Sequence, residues 1–125
     1  MVTSIAMSTE PITGVLLVDK GQDMTSHDVV AVARRTLNTK KIGHCGTLDP
    51  MATGLLILVI GKATKIQDLL MSEDKEYTGS LELGKTTSTQ DAEGEVETEN
   101  EVPDFTEEQI SEAFDKFKGD FYQTP

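Results

Sequence analysis

Two apolar runs and one helically spaced stripe dominate the first half of the chain. Gly14–Lys20 and Leu55–Ile60 each have the length of a buried strand. Between them, apolar side chains recur at helical spacing, at Val29, Val30, Ala33 and Leu37. Thr25 and Asp28 precede this stripe at the spacing of a capping box, so we predict a helix over residues 26–37.

The middle of the chain mixes helical and strand-like patterns. Apolar residues at helical spacing predict a helix over Ala63–Met71. Glu76–Gly84 alternates apolar and polar residues, which predicts a half-buried strand. A polar loop follows, and Glu95–Glu99 fits an exposed edge strand.

The last helix has the clearest signal. Thr106 and Gln109 form a second capping-box pattern, and Gly119 is expected to end the helix. Apolar residues between them follow helical spacing, at Ile110, Ala113, Phe114 and Phe117. Strands and helices that follow one another in this order indicate a mixed α+β domain.

Charge is distributed unevenly around a net value of -11. Residues 1–67 contain seven Lys or Arg and five Asp or Glu, and residues 68–125 contain four and seventeen. An acidic chain is a poor match for nucleic acid, whose phosphates attract cations. The basic residues of the first half could still form a local positive surface.

Cysteine content and hydropathy point to the cytoplasm. The single cysteine, Cys45, cannot form an internal disulfide, which fits a reducing compartment. The longest apolar run, Leu55–Ile60, is too short to span a membrane, and the N-terminal residues lack a signal-peptide pattern. We therefore expect a cytoplasmic protein without a membrane partner.

The segment before Leu55 predicts a basic, glycine-rich loop with one carboxylate, Asp49, directly before a proline. Such an Asp-Pro pair is by itself typical of a turn. His44 and Cys45 are adjacent and would point to opposite faces of an extended segment, which argues against a catalytic pair. One cysteine and two histidines lack zinc-site spacing, and Gly54–Lys62 lacks phosphate-loop spacing.

Several blocks occur in a fixed order: GVLLVDK, TSHDVV, GHCGTLDPMATGLLILVIGKATK, DKEYTG, LGKTTSTQDAEGE and GDFYQTP. Together they resemble the TruB family of pseudouridine synthases, and GHCGTLDPMATG is the most specific of them. The resemblance implies an α+β fold with a mixed, largely antiparallel sheet and flanking helices. Residues 14–125 would be the N-terminal part of that catalytic domain, after a flexible start at residues 1–13.

The resemblance also implies an activity, the isomerisation of uridine 55 to pseudouridine in the T-loop of tRNA. Family members use one aspartate without metal or cofactor, and act on the T-arm stem-loop. Asp49 matches that aspartate, which serves as nucleophile or removes a proton to allow elimination. Tyr77, which by pattern alone is a core residue, matches the family's catalytic tyrosine, which stacks on the target base and is proposed to help remove the C5 proton. A monomer is expected for the full-length protein.

Other matched residues would surround the substrate. His44 corresponds to the histidine that packs against the flipped-out part of the RNA loop. Lys20, by pattern alone a solvated charge, corresponds to the lysine that supports the catalytic loop. Gly46 and Thr47 lie in the same specific block and are expected to bind the substrate.

This chain departs from the family in three places. Gly21 replaces the usual proline after Lys20, which predicts a looser turn, and Cys45 replaces a common Thr or Ser. In the family, the motif at residues 123–125 continues into strands that carry an arginine partner of the catalytic aspartate. The sequence is therefore expected to be an incomplete fragment of the enzyme.

Two alternatives stay open at this stage. RNA-guided relatives that modify ribosomal RNA share the GH-x-G-x-LDP pattern. The threonine-containing loop LGKTTSTQDAEGE and the QTP ending look more like the stand-alone bacterial type. The other alternative is an RNA-binding fragment without catalysis.

Overall fold

The chain divides into two compact units, residues 1–76 and residues 77–125, and the structure, a computed structural model, describes residues 11–123. The predicted flexible start, residues 1–13, therefore lies outside the described residues except for its last three. Each unit combines helix with antiparallel strands, which confirms the α+β class. None of the helices within the described residues is long and apolar enough to cross a membrane.

Three antiparallel strands form the sheet of the first unit: β1 (Gly14–Lys20), β2 (Ile42–Cys45) and β3 (Gly54–Ile60). The order is β1-β3-β2, so β3 is paired along both edges. This central position agrees with the burial of β3, since four of its seven residues, all of them apolar, are buried. The register places Lys20, the last residue of β1, opposite Gly54, the first residue of β3.

One face of the sheet is covered by the helix α1 (Ser26–Thr36). Its apolar stripe packs with alternate residues of β3 and with the start of β2, a cluster formed by Val29, Val30, Ala33, Ile42, Leu56, Leu58 and Ile60. Alternation places every second β3 side chain on the same face. Full burial of an aliphatic side chain contributes about 1.5–3 kcal/mol, so this cluster is a major source of stability in the first unit.

The capping box predicted at the start of α1 is confirmed. The Asp28 N–H donates to Thr25 Oγ1 at 3.0 Å, and the Thr25 N–H donates to the Asp28 carboxylate at 2.9 Å. The Thr25 hydroxyl also donates to that carboxylate at 2.6 Å. These hydrogen bonds favour the ionised form, so they lower the pKa of Asp28 below its ordinary value of 3.8.

The first unit differs from the sequence prediction at two elements. The loop predicted over residues 42–45 is wrong, because these residues form β2; four residues with a glycine are too few to show an alternating pattern. The helix predicted over Ala63–Met71 is confirmed only at its end. Gly61–Ile66 forms a 3₁₀ helix, and the α-helix α2 covers Gln67–Met71.

The second unit contains a short hairpin, β4 (Lys85–Thr87) and β5 (Val96–Glu99), followed by the helix α3 (Glu107–Asp115). The edge strand predicted over Glu95–Glu99 is confirmed, because β5 covers all but its first residue. The strand predicted over Glu76–Gly84 is wrong, because no strand pairs with it within the described residues. Alternating apolar residues form a strand only where a neighbour completes their hydrogen bonds.

The helix α3 begins as predicted, with a capping box between Thr106 and Gln109. It ends at Asp115, before the expected stop at Gly119. Gly119 instead has a φ of 79°, a left-handed conformation in the segment that follows. Within residues 77–123 no residue is buried, so the apolar side of α3 is exposed in this unit.

Replacing Asp28 by alanine should lower the stability of the first unit in a pH-dependent way. Because the pKa of the folded state lies below 3.8, the stabilisation is fully present above that pH and is lost as the pH falls through the lower folded-state value. Denaturation midpoints of the two proteins should therefore differ at pH 7 and converge below pH 3.8. In a Thr25→Ala background the difference should shrink; an unchanged difference would show that the capping box is not its source.

Candidate active site

The β2–β3 loop, residues 46–53, presents the predicted catalytic carboxylate. Asp49 is exposed on this loop, and its main-chain carbonyl accepts a hydrogen bond from the Ala52 N–H at 3.0 Å, which closes a turn. Thr47 is also exposed, two residues earlier. Within residues 11–123 the hydrogen bonds at Asp49 involve its main chain, so its carboxylate faces solvent.

Lys20 is buried beneath this loop, with 1% of its surface exposed. The prediction of a solvated charge from pattern alone is therefore wrong. Its ammonium donates to three main-chain carbonyls, those of Gly21 at 2.9 Å, Met24 at 2.7 Å and Pro50 at 3.2 Å. Two of these belong to the β1–α1 connection and the third directly follows Asp49. The lysine thus ties the candidate catalytic loop to the end of β1.

The Pro50 carbonyl has a second donor, which the sequence does not predict. The Asp23 N–H donates to the Pro50 carbonyl at 2.9 Å. Asp23 has a φ of 61°, a left-handed conformation that aspartate adopts more readily than most residues. The spacing along the chain gives no signal for this contact, because it joins two separate loops.

The residue before Asp49 is held by another unpredicted partner. Ser26, the first residue of α1, is 2% exposed. Its hydroxyl accepts from the Leu48 N–H at 3.0 Å and donates to the Leu48 carbonyl at 3.3 Å. Both neighbours of Asp49 in the chain are therefore bound to the β1–α1 region.

His44 lies on β2 at the entrance to the loop and is half-buried. Its Nδ1 lies 2.7 Å from the carbonyl oxygen of Gly46. Because a carbonyl can only accept, Nδ1 donates, and the neutral ring then presents an unprotonated Nε2. Gly46 has a φ of 93°, which a residue with a side chain rarely adopts. The glycine conformation therefore directs the carbonyl that fixes the imidazole.

The main chain of His44 is also held, on the side of α2. Gln67, the first residue of α2, donates from Nε2 to the His44 carbonyl at 3.1 Å. A side chain at Gly43 would collide with the Gln67 Oε1, 2.6 Å from an ideal Cβ. The end of the flexible Gln67 side chain, which holds the His44 carbonyl, would have to move to admit such a side chain.

Tyr77 belongs to the second unit and is 69% exposed. The expectation of a packed core tyrosine is wrong within that unit, because most of its surface is exposed. The structure thus brings five of the six predicted site residues together in the first unit, namely Lys20, His44, Gly46, Thr47 and Asp49. Tyr77 is an exposed aromatic side chain available for stacking.

Titratable groups in the described part of the chain do not suggest a metal centre. Residues 11–123 contain no cluster of three or more His, Cys, Asp or Glu side chains that could hold an ion. Cys45 is buried, and burial raises the pKa of its thiol, which makes the thiolate scarce.

A sequence profile of the family described as "TruB family pseudouridylate synthase (N terminal domain)" matches residues 34–125. The match covers more than half of the chain. The chain therefore belongs to this family of pseudouridylate synthases.

Individual relatives agree with this assignment. The chain is 64% identical over 112 residues to a protein of Opitutus terrae named tRNA pseudouridine synthase B, which covers 90% of this chain and 46% of the relative. A protein of the same name from Mycobacterium leprae is 49% identical over 112 residues, with 90% and 35% covered. The chain thus spans about half the length of the curated relatives it matches, or less.

A solved structure titled "Structure of H/ACA RNP bound to a substrate RNA containing 2'-deoxyuridine" is similar to a smaller part. It aligns with 45% of this chain and 18% of the other, at 45% identity and a TM-score of 0.44. That overlap is too partial to add to the family assignment.

Replacing Lys20 by methionine should destabilise the first unit by at least about 3 kcal/mol, because the carbonyls of Gly21 and Met24 lose their charged donor and such hydrogen bonds contribute about 1.5–3 kcal/mol each. Chemical denaturation of the purified chain measures the change. Lys65→Met is the matched control, because Lys65 is exposed and its replacement should change stability little. Equal effects of both variants would contradict a structural role for the buried ammonium.

Proposed function

We propose that this chain provides the catalytic aspartate of an enzyme that isomerises uridine 55 to pseudouridine in the T-loop of tRNA. The observation that carries the proposal is the geometry of one loop. Asp49 is exposed, while the residues on both sides of it are hydrogen-bonded to buried groups. A carboxylate that must meet one atom of the target nucleotide needs its main chain held in this way. The family assignment and the names of the relatives support the reaction and the substrate class.

Each site residue has a role under this proposal. Asp49 either attacks as nucleophile, so that the bond between uracil N1 and the ribose breaks, or removes a proton so that the base is eliminated. The base then rejoins the ribose through C5, and the C5 proton is lost. Tyr77 stacks on the target base, which must leave the RNA stack to be reached. His44 packs against the unstacked part of the loop, with the ring direction set by Gly46. The reaction takes place in the cytoplasm and needs neither metal nor cofactor.

Lys20, Gly46 and Thr47 shape the substrate pocket under the same proposal. Lys20 holds the loop from below and does not meet the RNA, since its ammonium is buried. Gly46 leaves room at the entrance, and the exposed Thr47 offers a hydroxyl beside Asp49. The substrate contacts of the loop therefore come from the exposed residues rather than from its buried support.

Asparagine in place of Asp49 should abolish the reaction and leave RNA binding intact, because it keeps the size of the side chain but removes the nucleophile or base. The assay is tritium release from a C5-labelled T-arm stem-loop. We would run it with this chain alone and with a fusion in which this chain replaces the matching residues of the Opitutus terrae relative.

Asp68→Asn serves as the control, because Asp68 is an exposed carboxylate of α2 in the same unit. It should leave tritium release unchanged. An Asp49→Asn protein that still releases tritium would refute the catalytic role. Release from neither the chain nor the fusion, on correctly folded RNA, would refute the proposed reaction for this sequence; binding without release would then favour an RNA-binding module.

Exposed cations of the first unit should contribute to the affinity for RNA. The Arg34 side chain makes a hydrogen bond within the first unit, donating to the Ile42 carbonyl at 3.1 Å. Lys40 and Lys41 are exposed in the α1–β2 connection. We propose that these two lysines contact phosphates. Replacing both by alanine should reduce the slope of log affinity against log salt by about 1.5, because each phosphate contact contributes about 0.7–0.9.

The control for this experiment neutralises two carboxylates of the acidic half, Glu107→Gln and Glu108→Gln. Both residues are exposed in the first turn of α3. If the acidic half faces away from the RNA, this change should leave the salt slope nearly unchanged. A steeper slope after neutralisation, or no change on loss of the lysines, would contradict the proposal.

A further inference from the structure

The main chain beside Asp49 is fixed by one buried hydroxyl. Ser26 Oγ accepts from the Leu48 N–H at 3.0 Å and donates to the Leu48 carbonyl at 3.3 Å. At 2% exposure, the hydroxyl is shielded from competing water. A single side chain thus satisfies both polar groups of the residue that precedes the candidate catalytic aspartate.

The side chain of Leu48 strengthens this attachment. It is partly buried and packs against the core formed by α1 and the sheet. Leu48 is therefore held by two independent contacts, one apolar and one polar. The apolar contact sets how deep the loop lies, and the hydrogen bonds of Ser26 set the orientation of its main chain.

The main chain is held by hydrogen bonds both before and after Asp49, and Ser26 makes those that come before it. After Asp49, the Pro50 carbonyl accepts from the Lys20 ammonium and the Asp23 N–H. Before Asp49, Ser26 binds Leu48. A lysine can only donate, so it could not satisfy the N–H of Leu48, whereas a hydroxyl donates and accepts at once. The position therefore calls for a side chain that both donates and accepts, which the serine hydroxyl does through a single atom.

We infer that Ser26 is a positioning residue of the reaction: its hydroxyl fixes the main chain before Asp49 and so directs the carboxylate toward the reacting base. This inference rests on the proposed function. Ser26 does not contact the substrate, and its effect passes through Leu48. Its loss should lower the rate of the chemical step and leave the affinity for RNA unchanged, because the exposed surface of the loop keeps its composition.

Thr25 provides a matched control at the adjacent position. It also carries a hydroxyl at the start of α1, but its bonds are made with Asp28 and none reaches the β2–β3 loop. Loss of such a cap typically costs about 1 kcal/mol of stability. A Thr25→Ala protein therefore has a weakened helix start with an intact support for Asp49.

The test compares Ser26→Ala with Thr25→Ala in whichever form, chain or fusion, releases tritium with the native residues. Single-turnover release and RNA affinity are measured at a temperature at which thermal melts show both variants folded. Ser26→Ala should lower the single-turnover rate by about a hundredfold, the effect typical of a misplaced reacting group, with unchanged RNA affinity. Thr25→Ala should keep the native rate.

A third variant separates hydrogen bonding from the filling of space. Ser26→Cys keeps the shape of the side chain but forms only weak hydrogen bonds, so the rate should stay low. This variant also replaces Ser26→Ala if the latter does not fold. A native rate in Ser26→Cys, or equal losses in Ser26→Ala and Thr25→Ala, would overturn the inference. Absence of tritium release with native residues would instead count against the proposed function.

Discussion

The buried ammonium of Lys20 joins two loops, and one of its partners, Pro50, lies 30 positions further along the chain. A charged group in this location must have hydrogen-bond partners, since burial without them costs several kcal/mol. The partners are the carbonyls of Gly21, Met24 and Pro50. The requirement acts in both directions. The buried lysine needs both loops in place to have its partners, and the Pro50 carbonyl of the Asp49 loop loses one of its two donors if the lysine is not buried.

The strand order makes this arrangement possible. Because β3 is central, the last residue of β1 is paired with the first residue of β3, at Lys20 and Gly54. The β1–α1 connection and the β2–β3 loop therefore emerge at the same end of the sheet. Gly21, for which the resemblance predicts a looser turn than proline would give, has its carbonyl bonded to the lysine. The looser turn expected from the glycine is thus held by the same ammonium.

The sequence predicts best what is local. Capping boxes at Thr25 and Thr106 fix the helix starts, because donor and acceptor are three residues apart. It fails where a partner is distant. β2 is too short to show a pattern, and the strand predicted over Glu76–Gly84 lacks a neighbour within the described residues.

For the candidate site, local pattern predicts little. The pattern around Asp49 predicts only a turn residue, and the family resemblance is what assigns it a catalytic role. The sequence pattern does not predict the contacts of Ser26 with Leu48, because the two residues are 22 positions apart.

The two units differ in how they can order a side chain. In the first unit, a buried cluster supports the loop that carries Asp49, so the main chain on both sides of the aspartate is held before any substrate arrives. In the second unit, no described residue is buried, and Tyr77 is 69% exposed. An exposed aromatic ring acquires a fixed orientation when another surface covers it. Under the proposed function, the unstacked base is such a surface, so Tyr77 would be ordered by substrate binding while Asp49 is ordered by folding.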